Sequence, residues 1–296
     1  MKAVVCRAWG PPESLVIEDR PALEAQPGTV VVSVKAASVK FADTLIIQNK
    51  YQTKPELPFI PGSEVAGIVK AVGAGVEGWG VGDRVSAQTT YGGYAEEVLA
   101  ETDRLLAIPA SMDFASAAGM ASAYGTSYYA LTDRGQLRAG ETLLVLGASG
   151  GVGIAAVEIG KVLGAKVIAC ASSEEKLAVC RAHGADETIN YVSEDMRARV
   201  KAITRGNGVD VIYDPVGGDY SELALRDMAW GGRFLVVGFA AGDIPRIALN
   251  LPLIKGCSIV GVWIGAFAKR DRARHRANAL ELWKWFGEGK IKPHVS

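Results

Sequence analysis

Three glycines, Gly147, Gly150 and Gly153, follow one another at three-residue spacing between an apolar run and a helical pattern. Glycine allows a tight turn and lets the backbone approach a pyrophosphate, while a helix start offers free N–H groups and the positive end of the helix dipole. A strict GxGxxG pattern is missing, and the same glycines could simply pack a helix tightly on a strand. The strands and helices that alternate around them favour a dinucleotide site.

The residues that end the next apolar run indicate which dinucleotide is bound. An NAD site usually has an acidic residue there, which accepts hydrogen bonds from the ribose 2′-hydroxyl. This chain instead has Ser172 and Ser173, with Lys176 one helical turn beyond Ser172. Hydroxyls and an ammonium suit a 2′-phosphate, so the pattern predicts NADPH. Ser172 could also cap the following helix, with Glu175 completing a capping box, and the two roles can coexist.

Length and composition limit the classes of protein to consider. The chain has 296 residues, enough for two domains, and its 32 basic and 32 acidic residues give a formal net charge of zero. This balance disfavours a nucleic acid or an anionic membrane as partner. The four cysteines are scattered without a CxxC pair, which is typical of a reducing compartment, and the N-terminus lacks the apolar core of a signal peptide. We therefore expect a soluble cytoplasmic protein.

Two regions differ in their periodicity. The first hundred or so residues contain short β-rich runs separated by Gly, Pro and Asp, which predicts an antiparallel barrel-like or sandwich-like domain. From about residue 111, strand and helix patterns alternate, which predicts a doubly wound parallel sheet with helices on both faces. The predicted fold class is therefore α/β, with a β-rich domain preceding a parallel-sheet domain.

Several motifs in a fixed order carry a resemblance to a known family. They are "DTLIIQNKYQTKPELPFIPGSEVAGIV" at 43–69, "GDRV" at 82–85, "GASGGVG" at 147–153, "GADETINY" at 184–191 and "YDPVGG" at 213–218. Over essentially its whole length the chain resembles the zinc-independent quinone oxidoreductase branch, similar to zeta-crystallin, of the medium-chain dehydrogenase/reductase superfamily. The resemblance implies a GroES-like catalytic domain at 1–120, a Rossmann NADP(H)-binding domain at 121–262, and a return segment to the catalytic domain at 263–296, shorter than in relatives.

The resemblance also implies the cofactor contacts, position by position. The 2′-phosphate would be held by Ser172, Lys176 and Tyr191, the pyrophosphate by Gly150, Gly151 and Val152, and the nicotinamide side by Thr126, with Asn250 and Leu251 approaching it from a further segment. Asp214, Val216, Gly217 and Phe239 would line the adenine or nicotinamide walls.

Whether the chain binds zinc determines which reaction it can catalyse, because the superfamily includes zinc alcohol dehydrogenases. A catalytic zinc needs three protein ligands, usually Cys, His or an acidic residue. In "PGSEVAG" the chain has Ser63 where the zinc branch has histidine, although Glu64 is retained, and no cysteine occurs between Cys6 and Cys170. The sequence therefore predicts no metal site.

Without a Lewis acid, hydride donation is favourable only to an acceptor that is already electrophilic, such as a quinone or an α,β-unsaturated carbonyl. The predicted function is NADPH-dependent hydride transfer to a quinone or another conjugated carbonyl. A 2-enoyl or acrylate-type alkene reductase is one alternative. A non-catalytic NADPH-binding protein with a structural or regulatory role is another.

Three polar residues, Tyr51, Lys40 and Asp43, are the candidates for the acceptor site. A tyrosine hydroxyl can donate a hydrogen bond to a developing enolate without carrying charge, although Tyr51 could equally be a packing residue. Relatives commonly have asparagine in place of Lys40. Its ammonium could stabilise an enolate or bind an anionic substrate, and it could also pair with Asp43 or face solvent.

One apolar run suggests how the protein associates. Residues Gly256 to Phe267 read "GCSIVGVWIGAF", which predicts an edge strand of the parallel sheet. An exposed apolar edge is a liability unless it is paired, and members of the family usually join these edges. We therefore expect a homodimer.

Overall fold

The computed structural model describes residues 1–295 and divides into two compact units. The first comprises residues 1–122 together with Val295, and the second comprises residues 123–294. The boundary lies inside a single helix. The predicted domain limits of 1–120, 121–262 and 263–296 stay a prediction, and in the structure residues 263–294 group with the second unit.

The first unit is built mainly from strands. In chain order its elements are β1 (Lys2–Val5), β2 (Val16–Asp19), β3 (Thr29–Ala37), α1 (Phe41–Ile46), β4 (Glu64–Val72), β5 (Arg84–Gln88), β6 (Glu97–Glu101), β7 (Leu105–Ala107) and the first part of α2 (Phe114–Tyr128).

An antiparallel sheet of order β6-β3-β4-β5-β7 forms the core of this unit, and β1 pairs separately with β2. Val30 and Val32 of β3 pack with Val65 of β4, and the intervening Val31 is fully buried as well. Successive side chains of a strand point to opposite faces, so the central part of β3 is covered on both faces. The predicted β-rich domain is confirmed.

The second unit alternates strands with helices. After a π-helical turn at Tyr129–Arg134 come β8 (Thr142–Val145), α3 (Gly151–Val162), β9 (Lys166–Ala171), α4 (Glu174–Ala182), β10 (Glu187–Asn190), α5 (Met196–Ile203), β11 (Val209–Asp214), α6 (Asp219–Arg226), β12 (Met228–Val236), α7 (Asn250–Lys255), β13 (Ser258–Gly261), α8 (Ile264–Arg270) and α9 (Arg272–Gly287).

The six strands of this unit form one parallel sheet of order β10-β9-β8-β11-β12-β13. Numbered from β8, this is the order 3-2-1-4-5-6 of doubly wound dinucleotide-binding sheets. The chain direction across the sheet reverses between β8 and β11. In such sheets ligands bind beyond the carboxyl ends of the strands at this point. The predicted doubly wound sheet is confirmed.

The core of the second unit lies in its central strands. Leu144, Ile168, Ile212 and Phe234 come from four neighbouring strands, and none is more than 1% exposed. Helices cover both faces of a parallel sheet, which is why these strands read as continuous apolar runs rather than as alternating ones.

Aromatic contacts attach the last two helices to the second unit. The Tyr129 ring stacks on Phe267 with ring centroids 4.1 Å apart, and the Tyr128 ring meets Trp285 edge-on at 5.3 Å. Asp133 adds an ion pair with Arg274. These contacts explain why residues 263–294 belong to this unit.

Across residues 1–295, no helix is both long and apolar enough to cross a membrane. The helix α2 contains no charged residue, and its Met120 and Tyr124 are buried.

Replacing Leu144 with alanine should lower the free energy of unfolding by about 2–5 kcal/mol, because a fully buried leucine leaves both lost apolar contact and a cavity. Urea unfolding followed by circular dichroism measures the change. Leu249→Ala is the matched control, since that leucine is 79% exposed, and it should change the free energy of unfolding by less than about 0.5 kcal/mol. Equal effects at the two positions would contradict this account of the core.

Candidate functional site

The glycine loop of the second unit lies between β8 and α3. Gly147 has a φ of +56°, a conformation that glycine adopts without strain. Gly153 has the closest backbone approach, because a Cβ there would lie 2.3 Å from the carbonyl oxygen of Gly147. The start of α3 can therefore pack directly against the end of β8 only while residue 153 lacks a side chain.

The first turn of α3 presents unused hydrogen-bond donors. Gly150 is its N-cap residue and has no side chain that could cap the helix. The first N–H groups of a helix lack partners within the helix. In the part of the chain that the structure describes, those of Gly151 and Val152 have no other acceptor. Free N–H groups at a helix N-terminus are of the kind that can bind an anion.

The end of β9 brings three polar side chains together. Lys176 Nζ donates to Ser172 Oγ at 2.9 Å. Tyr191 lies beside them: burial raises the pKa of its phenol, and the neighbouring Ser172 hydroxyl partly offsets that effect. Ser173, not Ser172, caps α4, since its hydroxyl accepts from the Lys176 N–H. The alternative in which Ser172 is the cap is wrong, and its hydroxyl faces Lys176 and Tyr191 instead.

Asp214, at the end of β11, is 2% exposed and uses its carboxylate within the loop that follows. One oxygen accepts the N–H groups of Val216 and Gly217 at 2.8 and 2.9 Å, and the other accepts the Ser221 hydroxyl. Burial raises the pKa of this carboxyl group. The side chain therefore shapes the loop at the sheet's switch point. Val216 packs over Gly147, where a Cβ would lie 2.7 Å from its methyl carbon.

The other residues assigned to the cofactor differ in their surroundings. Thr126 is 9% exposed on α2, and Phe239 is 36% exposed beside Gly217. Asn250 is exposed at the start of α7, whereas Leu251 is 4% exposed and packs in the hydrophobic core. A direct cofactor contact at these positions stays a prediction.

A polar cluster in the first unit contains Lys40 and Asp43. Asp43 lies in the first turn of α1 and is 4% exposed. Its Oδ2 accepts the backbone N–H of Lys40 at 2.9 Å and the hydroxyl of Tyr94 at 2.8 Å. Its Oδ1 is buried and has no hydrogen-bond partner in the described chain. One acceptor is therefore free at the centre of the cluster.

The charge of Asp43 affects the pKa of two tyrosine side chains. Burial, followed by the Asp43 charge, raises the pKa of both Tyr51 and Tyr94. Both groups therefore stay protonated at neutral pH and can serve as hydrogen-bond donors. The Tyr51 side chain also packs against the small hydrophobic cluster that contains Cys6 and Phe59, and its polar role stays a prediction.

The Lys40 ammonium does not pair with Asp43. Its Nζ donates to Ser63 Oγ at 2.8 Å and lies 3.6 Å from Glu64 Oε2. Glu64 is 1% exposed and also accepts the Ser122 N–H at 2.9 Å and the Ser38 hydroxyl at 3.2 Å. Burial raises the pKa of Glu64, and the Lys40 charge is the largest opposing effect.

Sequence reasoning missed Tyr94 and gave Glu64 no role. The sequence had no local signal for Tyr94, whose ring lies 2.4 Å from the position of a Cβ at Gly62, a contact that only the fold makes. It also missed a buried group in the second unit. Glu158 accepts the Tyr124 hydroxyl at 2.6 Å and the Lys292 N–H at 3.0 Å, and it lies 2.6 Å from His183 Nδ1. A lone carboxylate in the apolar helix "GIAAVEIG" was its only signal.

Each of the two units contains a match to a known protein family. Residues 26–124 match the family model described as alcohol dehydrogenase GroES-like domain, and residues 151–282 match that described as zinc-binding dehydrogenase. The quinone oxidoreductase-like protein 2 homolog of Nematostella vectensis is 42% identical, over 100% of this chain and 81% of its own length.

Two solved structures are similar throughout. A quinone oxidoreductase from Pseudomonas syringae is 34% identical with a TM-score of 0.92, covering 98% of this chain and 90% of that one. The Escherichia coli quinone oxidoreductase complexed with NADPH is 30% identical with a TM-score of 0.91, covering 100% and 91%. The chain therefore belongs to the quinone oxidoreductase-like family of the medium-chain dehydrogenase/reductase superfamily, and it is an oxidoreductase.

One of the two matching families is described as zinc-binding, but the residues of the polar cluster do not suit a zinc ion. The groups around Glu64 are the Ser63 hydroxyl and the Lys40 ammonium, and an ammonium has no lone pair with which to bind a metal. No group of three or more His, Cys, Asp or Glu side chains suited to a metal ion occurs among residues 1–295.

Gly153→Ala should destabilise the second unit, because the new methyl group would collide with the Gly147 carbonyl and the Ala148 backbone. Overpacking of this kind costs about 1–3 kcal/mol, and the loss should appear as a lower melting temperature by calorimetry.

Gly151→Ala is the matched control on the same helix. A Cβ at 151 would meet only the Ala123 Cβ, at 3.9 Å, which is an ordinary contact. A melting temperature that falls equally in both variants would be inconsistent with the proposed close approach at Gly153.

Proposed function

We propose that the protein is an NADPH-dependent reductase of quinones or other conjugated carbonyl compounds. The observation that carries the proposal is the convergence of Lys176 and Tyr191 on the Ser172 hydroxyl, at a strand end without a carboxylate. The names of the relatives, and the NADPH bound in the Escherichia coli structure, support it. We also propose that the protein is cytoplasmic, because its scattered cysteines are typical of a reducing compartment.

The residues of the second unit suit a phosphorylated dinucleotide. The unpartnered N–H groups of Gly151 and Val152 would bind the pyrophosphate. Ser172, Lys176 and Tyr191 would hold the 2′-phosphate, because they supply one cation and two hydroxyls. NADPH, when bound, supplies the hydride of the reaction. Thr126 and Phe239 stay as proposed contacts of its other half.

The polar cluster of the first unit is the proposed acceptor site. Tyr51 has a protonated phenol beside the buried Asp43 carboxylate, so it can donate to a carbonyl oxygen and keep its proton. Asp43, which accepts the Lys40 N–H and the Tyr94 hydroxyl, helps to keep the Tyr51 phenol protonated through its charge. Lys40 supplies the positive charge of the cluster. These roles require a polarised acceptor rather than an unactivated alcohol.

Lys176→Met should weaken NADPH binding about tenfold or more and leave NADH binding nearly unchanged, because only NADPH has a 2′-phosphate that interacts with the ammonium. Titration of the nicotinamide fluorescence measures both dissociation constants. Lys201→Met, an exposed lysine on α5 that has no side-chain partner in the described chain, is the matched control. Wild-type protein that binds NADH as tightly as NADPH would overturn the assignment of the cofactor.

Mixing the protein with NADPH and either 1,4-naphthoquinone or 3-penten-2-one tests the reaction. Loss of the nicotinamide absorbance is expected with at least one of the two. The ratio of the two rates indicates whether a quinone or an alkene is the better acceptor. NADPH binding without consumption by either acceptor would favour a non-catalytic NADPH-binding protein.

We also propose that two chains associate through β13. This strand pairs with β12 on one side only and ends the sheet. Ile259 is 41% exposed and the nearby Trp263 is 60% exposed. An unpaired apolar edge of this kind is suited to pairing with a second copy.

Sedimentation velocity should detect a species of about twice the 31.2 kDa chain mass. Ile259→Lys should shift it to the monomer, because a charge on an edge strand opposes edge pairing. Ile244→Lys, at an exposed position outside the strands, should leave the dimer intact. A monomeric wild-type protein would rule out the dimer.

A further inference from the structure

We propose that Lys40 is a fixed cation that binds the acceptor's carbonyl oxygen, and that it gives the protein a preference for conjugated carbonyl acceptors whose negative charge is delocalised onto that oxygen. The inference rests on the proposed function, because it specifies the acceptor class of the same site. It is argued from the contacts of Lys40, Ser63 and Glu64. These residues place an ammonium and a hydroxyl beside the carboxylate, where a zinc site would have metal ligands.

Glu64 is the anchor of this arrangement. Its side chain is 1% exposed, and its two oxygens accept from Ser122 and Ser38. A carboxylate held in this way cannot turn toward solvent, and an isolated buried charge is costly unless a counter-charge is near. The Lys40 ammonium, 3.6 Å away, is that counter-charge.

The Lys40 side chain is fixed at both ends. Its backbone N–H donates to Asp43 at the start of α1, and its Nζ donates to Ser63 at 2.8 Å. An ammonium has three N–H donors. The Ser63 hydroxyl takes one and the Glu64 carboxylate faces another, which leaves one for an outside acceptor. The Lys40 side chain is 22% exposed, so part of it is open to small molecules.

A preorganised donor of this type matches the electron flow of the proposed reaction. When a hydride adds to the β-carbon of a conjugated carbonyl, the electron pair of the C=C bond forms a new double bond between the α-carbon and the carbonyl carbon. The C=O π pair moves onto oxygen, and an enolate oxyanion results. The free N–H of Lys40 would hydrogen-bond to that oxygen, and water then supplies the proton that completes the reduction. A fixed positive charge stabilises such an oxyanion without reorganisation.

The other charged group of the cluster limits how an anion can bind. Asp43 is also buried, and its Oδ2 faces Tyr94 rather than an ammonium. The cluster therefore attracts anions through the single directed N–H of Lys40 and not through an excess of positive charge. Only an anionic oxygen that reaches Lys40 should gain binding energy.

Binding of two related quinones tests the inference without turnover. 2-Hydroxy-1,4-naphthoquinone is an anion at neutral pH and 1,4-naphthoquinone is neutral, and quenching of tryptophan fluorescence in the absence of nicotinamide measures both dissociation constants. Lys40→Met should weaken binding of the anion about tenfold or more, which corresponds to one charged hydrogen bond. Binding of the neutral quinone should change less than about threefold, because it has no full charge to lose.

Three further variants make the result specific. Lys40→Arg should retain most of the affinity for the anion, because the charge is kept. Lys35→Met removes an exposed lysine of β3 and should change neither constant. Lys40→Met leaves Glu64 without its counter-charge, so the double variant Lys40→Met/Glu64→Gln, which removes both charges, should show the same loss in a folded protein.

The outcomes separate this inference from the proposed function. Wild-type protein that reduces a quinone while Lys40→Met keeps full affinity for the anion would overturn the role of Lys40 alone. Equal weakening for both quinones would overturn it as well, since it would indicate a general change of the site. Wild-type protein that neither binds nor reduces any of the quinones would overturn both proposals.

Discussion

The second unit depends on the contact between Gly153 and the carbonyl of Gly147. A Cβ at 153 would lie 2.3 Å from that oxygen, so α3 can begin where it does only because the residue has no side chain. This approach brings the unpartnered N–H groups of Gly151 and Val152 to the carboxyl edge of the parallel sheet. That edge is also where the order of the strands reverses. The position of these free N–H groups therefore follows from a steric requirement.

A buried carboxylate has the corresponding role in the first unit. Glu64 requires a counter-charge because it lies out of water, and the chain supplies Lys40 together with the Ser63 hydroxyl. The same need could be met by a metal ion in a protein with a suitable set of ligands. Here the counter-charge is covalently part of the chain, so the position and the charge of the cluster are determined by folding alone.

The pattern of apolar residues predicted the strands well where both faces of a strand are buried. The apolar runs that became β8, β9 and β11 are buried almost throughout, and the turn residues at their ends separate them from the helices. The hydroxyl pair at Ser172 and Ser173 was also found, but which serine caps α4 was not. That choice depends on a single backbone N–H of Lys176, which sequence spacing does not specify.

The sequence by itself determined the fold class, the glycine loop and the absence of an acidic residue at the end of β9, because these depend on neighbours within a few residues. Only the tertiary structure decided the partners of Lys40 and Asp43. Lys40 is 24 residues from Glu64, and Asp43 is 51 from Tyr94, so no local pattern links them. The pairing of α1, β4 and the loop before β6 brings them together. Whether an ammonium faces a carboxylate, a phenol or solvent is therefore a property of packing.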